Sequence, residues 1–154
     1  MLNLKKVEIY QIYLDNKTRS TYQGQISNQQ RHGYGIEVLK DGSVYDGNFA
    51  SNLRSGKGIM HYANESKYEG SWANGKPHGS GKITFQDGSK YEGNWSNGEI
   101  EGYGVQEWAD GTVYKGEFSG AVKHGEGEFK WPNGNTYSGA YRNDVREGFG
   151  IFTW

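Results

Sequence analysis

The sequence predicts an all-β fold, an elongated single-layer antiparallel β-meander of six 23-residue β-hairpin units, and three observations predict it. Tyrosines stand at 22, 45, 68, 91, 114 and 137, so that five successive intervals are all 23 residues. Each unit carries a Gly-x-Gly: Gly33 and Gly35, Gly56 and Gly58, Gly79 and Gly81, Gly102 and Gly104, Gly125 and Gly127, Gly148 and Gly150. Turn residues close the units at Asp41-Gly42, Asn64-Glu65, Asp87-Gly88, Asp110-Gly111 and Asn133-Gly134. A fixed period of this length marks a repeat architecture, in which each supersecondary unit stacks on its neighbours.

The first strand of a unit reads Tyr-x-Gly and then, two residues on, a bulky side chain: Ile26, Phe49, Trp72, Trp95, Phe118 or Tyr141. The second runs through Gly-x-Gly to Leu39, Tyr62, Phe85, Trp108, Trp131 or Trp154. A spacing of two places each set on one face of its strand. The Asp-Gly and Asn-Gly pairs, together with Asn74-Gly75 and Asn97-Gly98 inside units, suit hairpin turns in which both central residues need positive φ. Interior glycine ordinarily weakens a strand. Here it is expected to leave a hollow that a neighbouring ring covers.

The unit boundaries are 22–44, 45–67, 68–90, 91–113, 114–136 and an incomplete 137–154, which makes about twelve strands. Residues 1–21 read as a capping strand or half-unit, with Val7, Ile9, Tyr10, Ile12, Tyr13 and Leu14 strand-like and a turn at Asp15-Asn16-Lys17. At the other end Gly148 to Trp154 stops where a closing turn should begin. Phe149, Ile151 and Trp154 are therefore expected to form an apolar edge contact, either because the chain is a segment of a longer protein or because the edge docks on a partner or a second copy.

Composition narrows the function classes. Only 33% of residues are hydrophobic and the mean hydropathy is −0.93, too low for a thick core. Yet 15% are aromatic, which separates this glycine-rich chain from disordered ones. Seventeen basic and 18 acidic residues leave a net charge of −1, so no overall field draws nucleic acid or an anionic membrane. The absence of cysteine excludes disulfides and thiolate metal sites and fits a reducing, cytoplasmic setting. Asn3, Lys5, Lys6 and Glu8 make the first residues too polar for a secretory leader, and no stretch approaches the roughly 18 apolar residues of a membrane span.

Tyr68-Glu69-Gly70-Ser71-Trp72, followed by His78-Gly79-Ser80-Gly81 and closed by Asp87-Gly88, resembles the MORN (membrane occupation and recognition nexus) repeat. The resemblance extends from Tyr22 to Trp154. The motif histidine is present as His32, His78 and His124 and replaced by Ser55, Glu101 and Glu147, while Asn64-Glu65 in the second unit is expected to distort its turn. The resemblance implies a scaffold, in ciliary, axonemal or other cytoskeletal assemblies, in division apparatus, or as an adaptor segment beside a catalytic domain. Phosphoinositide binding has been proposed for the family.

The motifs that might carry chemistry are weak. Gly79-Ser80-Gly81-Lys82 fails as a phosphate loop because Ile83 follows the lysine and no helix opens there. His32, His78 and His124 recur every 46 residues, roughly 20 Å apart along the sheet, and cannot share a metal. Carboxylates such as Glu69 and Glu92, or Asp87 and Asp110, sit at equivalent repeat positions rather than around one cleft. The aromatic columns carry more weight. Tyr68, Trp72, Tyr91, Trp95, Trp108 and Trp131 pack one face, and because that face is a single layer they also form a candidate groove for an extended peptide or helix. On the other face Tyr34, Ile36, Tyr103, Val105, Phe149 and Ile151 are apolar islands. Arg31, Arg54, Lys57, Lys76, Lys123, Arg142 and Arg146 are dispersed rather than clustered. The reading is a non-enzymatic protein-interaction scaffold without cofactor, metal or nucleic acid, with a phosphoinositide-binding adaptor or the targeting segment of a larger enzyme as the alternative.

Overall fold

A computed structural model describes the backbone of residues 10–15 and the complete residues 17–154. The early part of the expected capping strand, before Tyr10, lies outside the described residues. Among the described residues thirteen strands follow one another: β1 Tyr10–Asp15, β2 Ser20–Ser27, β3 Gln30–Val38, β4 Val44–Ala50, β5 Leu53–His61, β6 Lys67–Ala73 and β7 Lys76–Thr84. They continue with β8 Lys90–Ser96, β9 Glu99–Glu107, β10 Val113–Ser119, β11 Val122–Lys130, β12 Thr136–Arg142 and β13 Val145–Thr153. All pair antiparallel with their sequence neighbours in one open sheet whose spatial order is the chain order. The chain is all-β, and the twelve strands from β2 onward are six hairpins of the 23-residue unit.

Two turn types alternate. Inside the units two-residue turns join first strand to second, and both residues take positive φ in Asn28-Gln29, Ser51-Asn52, Asn74-Gly75, Asn97-Gly98, Gly120-Ala121 and Asn143-Asp144. These are the tight hairpins that match strand twist. Between units the turn is wider than the Asp-Gly reading expected. Only Gly42, Gly88, Gly111 and Gly134 of those pairs are left-handed, the preceding Asp or Asn staying at negative φ. The carboxylate of Asp41 accepts from the Ser43 amide at 2.9 Å, and Gly42 N–H donates to the Leu39 carbonyl at 3.0 Å, so the acidic side chain folds the turn locally. The expected distortion at Asn64-Glu65 does not occur. Glu65 takes φ +67, its amide donates to Tyr62 O at 3.0 Å, and Ser66 N–H donates to Asn64 Oδ1 at 3.0 Å, reproducing the same turn with a non-glycine residue in a disfavoured region.

The two glycines of Gly-x-Gly do different jobs. The first, for example Gly79 at φ +91, sits in a bulge where β7 slips against β6 between the pairs Gly70–Gly81 and Trp72–Pro77. The second lies beneath a tyrosine. A Cβ on Gly81 would stand 2.2 Å from the Tyr68 hydroxyl, and one on its cross-strand partner Gly70 would stand 2.5 Å from Gly81 Cα. The ring therefore lies flat across a glycine pair, as the sequence reading expected. Its hydroxyl donates to the carbonyl three residues on: Tyr22 to Gln25, Tyr45 to Asn48, Tyr68 to Ser71, Tyr91 to Asn94 and Tyr114 to Glu117, at 2.7 to 3.0 Å.

Edge-to-face contacts link these tyrosines through the bulky column into one chain. Tyr45 meets Phe49 and Trp72, Tyr68 meets Trp72 and Trp95, and Tyr91 meets Trp95 and Phe118, with centroids 5.0 to 5.6 Å apart. Each such pair adds about 1 kcal/mol beyond simple area burial. Trp72 and Trp95 also donate their indole N–H to the carbonyls of Gly58 and Gly81 at 3.1 and 3.0 Å. The core is thus a line of rings on one sheet face, not a space between two layers.

Gly81→Ala is expected to lower stability by about 3 kcal/mol, because the methyl group displaces a ring and its hydrogen bond. Gly111→Ala, which meets open space at φ +87, should lose only about 1 kcal/mol from left-handed strain. Urea midpoints of the two variants check the contrast. Burial pushes the Tyr68, Tyr91 and Tyr141 hydroxyls up to about 12. Their stabilisation of the neutral-phenol fold is complete below the unfolded value near ~10 and is lost as pH rises from there through about 12. Absorbance titration should show these tyrosines ionising late, together with unfolding of the sheet.

Candidate functional site

The tyrosine face divides into a buried line and a half-open margin. Tyr68 and Tyr91 are 0% exposed, Trp72 4% and Trp95 8%, so four of the six rings expected to line a groove are core. A single sheet has no second layer, and these rings cover one another and the glycine pairs instead. Only Trp108 and Trp131 of that set remain half-open. They lie just after β9 and β11, where the strands run out toward the between-unit turns.

Around them the structure assembles a second aromatic row. Trp108 and Phe129 are 5.7 Å apart, Phe129 and Trp131 4.7 Å, Trp131 and Phe152 5.3 Å, and Phe152 and Trp154 4.4 Å, all tilted rather than perpendicular. Phe129 and Phe152 were not singled out from the sequence. Their signal was the column two residues past the second glycine, Glu37, Met60, Ile83, Gln106, Phe129 and Phe152, which turns aromatic only in the last two units.

The expected edge contact splits over two faces. Phe149 and Ile151 point to the face opposite the tyrosines, by strand alternation, and are fully and largely exposed, while Trp154, 90% exposed, ends the aromatic row on the tyrosine face. Of the other apolar islands, Tyr34, Ile36 and Tyr103 are exposed and Val105 half-buried. The Tyr34 hydroxyl donates to Asp46 Oδ1 at 2.7 Å.

Cations recur at one position of the unit, two residues before the first glycine, and sit over the rings. Arg31 caps Tyr22 and Phe49, Arg54 caps Tyr45 and Trp72, Lys123 caps Trp108 and Tyr114, and Arg146 caps Trp131 and Tyr137, at 5.0 to 5.9 Å. In the two middle units Pro77 and Ile100 hold that place. The buried Glu37 carboxylate bridges Arg31 at 2.6 Å and Arg54 at 2.8 Å, beside an open cavity of about 390 Å³ lined by Ser20, Leu39 and Asp41 among others. Burial alone would raise the Glu37 carboxyl, but the Arg54 charge and hydrogen bonds from both guanidiniums outweigh it and hold the pKa below the ordinary value. Lys123 pairs with Asp144 at 2.8 Å. Lys67–Glu69 and Lys90–Glu107 are exposed pairs that contribute little.

Among the described residues no three His, Cys, Asp or Glu side chains gather as metal ligands. His78 accepts a backbone hydrogen bond from Asn97 at 3.3 Å and so holds a hairpin turn. Among the described residues no helix is long and apolar enough to cross a membrane.

A family model, described as the MORN repeat, matches residues 22–44, 45–67, 68–90, 91–113, 114–136 and 137–154. The chain belongs to the MORN repeat family. No curated protein sequence matches it. Among solved structures, this MORN chain is similar to the TCP10 domain of CPAP from Danio rerio, solved with a peptide of STIL. That likeness has a TM-score of 0.54 at 10% identity over 84% of this chain and 57% of that chain. It is also similar to the SAS-4 (dCPAP) TCP domain of Drosophila melanogaster, solved with a proline-rich motif of Ana2 (dSTIL), with a TM-score of 0.50 at 11% identity over 93% and 88%. At these identities the likeness is one of fold. The MORN chain spans little more than half the length of the Danio rerio domain it matches.

Because the Glu37 pKa is depressed in the fold, its stabilisation is complete above the unfolded value near ~4.3 and is lost as pH falls through the folded value. Glu37→Gln leaves the half-buried Arg31 and Arg54 guanidiniums without their shared carboxylate and should lower stability by about 3 kcal/mol at neutral pH. The difference from the native chain should shrink as pH drops below about 4, which urea melts across that range would measure.

Proposed function

We propose that this MORN chain is a non-enzymatic protein-interaction scaffold whose working surface is the half-open aromatic row Trp108, Phe129, Trp131, Phe152 and Trp154. The observation that carries the reading is this row itself. It is apolar and accessible on a single-layer sheet, flanked by Lys123 and Arg146, whereas Tyr68, Trp72, Tyr91 and Trp95 on that face are sealed into the core. Contiguous apolar surface on a soluble domain marks an interaction site, and aromatic residues with arginine are the groups enriched at such sites. Support also comes from the two similar folds, each solved with a peptide of another protein. A cytoskeletal or ciliary assembly is the setting we propose, on the strength of the family. The cations do not favour a lipid adaptor: Arg31 and Arg54 share the Glu37 carboxylate, Lys123 pairs with Asp144, and among the described residues no cluster of four to eight bases forms.

Endogenous tagging with cross-linking mass spectrometry tests the proposal. Cross-links should map to Lys123 and Lys130 beside the row, and Trp108→Ala with Trp131→Ala should lose partners while the chain stays folded. Trp72→Ala, by contrast, should unfold it through a loss of about 3 to 5 kcal/mol. Retention of every partner by the folded double variant would sink the assignment.

A further inference from the structure

The aromatic row has a period as well as a composition. Phe85, Trp108, Trp131 and Trp154 are the same position of successive units, each following the second strand of its hairpin. One unit is two strands of the sheet, so these seats recur about every 9.6 Å across it. The ring contacts agree: a single phenyl ring, Phe129 or Phe152, bridges each of the last two intervals.

A ligand lying across the strands must present groups with that repeat. An extended strand presents same-face residues about every 6.7 Å and falls out of step at once. An α-helix returns to one face after seven residues, about 10.5 Å, and drifts by about 1 Å per seat. Polyproline II advances 3.1 Å per residue with three residues per turn, so one face returns every ~9.3 Å. Its preset conformation loses little entropy on docking against aromatic rings.

Two further observations fit such a ligand. Trp72 and Trp95 spend their indole N–H groups on backbone carbonyls, but among the described residues nothing accepts from Trp108 or Trp131. Among the described residues no buried side-chain nitrogen or oxygen lacks a partner, so these two N–H groups face solvent and can donate to a ligand carbonyl. Polyproline II has no internal hydrogen bonds and leaves its carbonyls available. The charges are also unequal. Lys123 is held by Asp144 at 2.8 Å, whereas Arg146, exposed and 5.8 Å over Trp131, has no carboxylate among the described residues.

We infer that the seats Phe85, Trp108, Trp131 and Trp154 bind a proline-rich segment of a partner protein in the polyproline II conformation, running across the strands with an acidic side chain on Arg146. The inference rests on the reading that this row is the docking surface, extends it by the exposed Phe85, and adds the ligand's conformation, direction and charge.

The test uses a peptide of four Pro-Pro-Glu triplets, one per seat, against the full chain, followed by tryptophan fluorescence. Pro-Pro-Lys triplets remove the charge match and Ala-Ala-Glu triplets remove the preset conformation. The first peptide should bind about ten-fold tighter than either. Arg146→Glu, an exposed change whose folding circular dichroism would check, should invert the preference between the two proline peptides, and Trp131→Ala should weaken binding by about ten-fold. Equal affinity for the acidic and basic peptides, or equal affinity for the alanine peptide, overturns the inference. If native partners still cross-link to the row while the Pro-Pro-Glu peptide fails, the polyproline assignment falls and the docking surface stands. If native partners ignore the row, the docking surface itself falls.

Discussion

The structure depends on one contact repeated along the sheet: a tyrosine ring lying flat over a cross-strand pair of glycines and donating its hydroxyl to the carbonyl three residues on. Neither partner can change alone. A methyl group at Gly35, Gly58, Gly81, Gly104, Gly127 or Gly150 would overlap the ring within 2.2 to 2.4 Å, and without the ring the glycines would be bare, flexible backbone. This contact lets a sheet with no second layer exclude water from one face. It also sets the 23-residue repeat, because each ring needs its own hairpin to supply both glycines.

From that contact the rest of the tyrosine face follows. The bulky residue two positions past the first-strand glycine leans edge-on to the tyrosines of its own unit and of the unit before it, joining the hairpins through their side chains as well as through the backbone ladder. Cations cap this line where a unit offers Arg31, Arg54, Lys123 or Arg146, and Pro77 and Ile100 stand at that position in the middle units. The first two cations share the Glu37 carboxylate and the third pairs with Asp144. Of the four capping cations, Arg146 alone has no carboxylate among the described residues, and it lies over Trp131 in the open row. That asymmetry, in an otherwise repetitive sheet, is what gives the proposed docking surface a place.

Much of this was legible in the residues. The tyrosine interval and the Gly-x-Gly pairs give the hairpins, and the hollow over Gly81 follows from having glycine where a strand ought to have a side chain. Other features were not. Tyr68, Trp72, Tyr91 and Trp95 look as available for binding as Trp108 and Trp131, since all are aromatics of the same alternating face. Only the edge-to-face packing separates rings that are covered from rings at the strand ends that are not. Likewise the bulge at the first glycine reaims the strand beyond it, which spacing alone does not reveal. The turn at Asn64-Glu65 looked defective, yet the Asn64 side chain and the Tyr62 carbonyl hold it in the common shape.

The sequence by itself determined the all-β class, the number of units and the glycine beneath each tyrosine, because those depend on local periodicity and on steric exclusion at single positions. The tertiary structure alone decided which aromatics are core and which are surface, that Glu37 joins Arg31 and Arg54, and that Phe149 and Trp154 face opposite ways at the last strand. These outcomes turn on contacts between strands, such as Arg54 with Glu37 17 residues away, and on where each strand ends, and a repeat pattern writes the same letters at sealed and open positions alike.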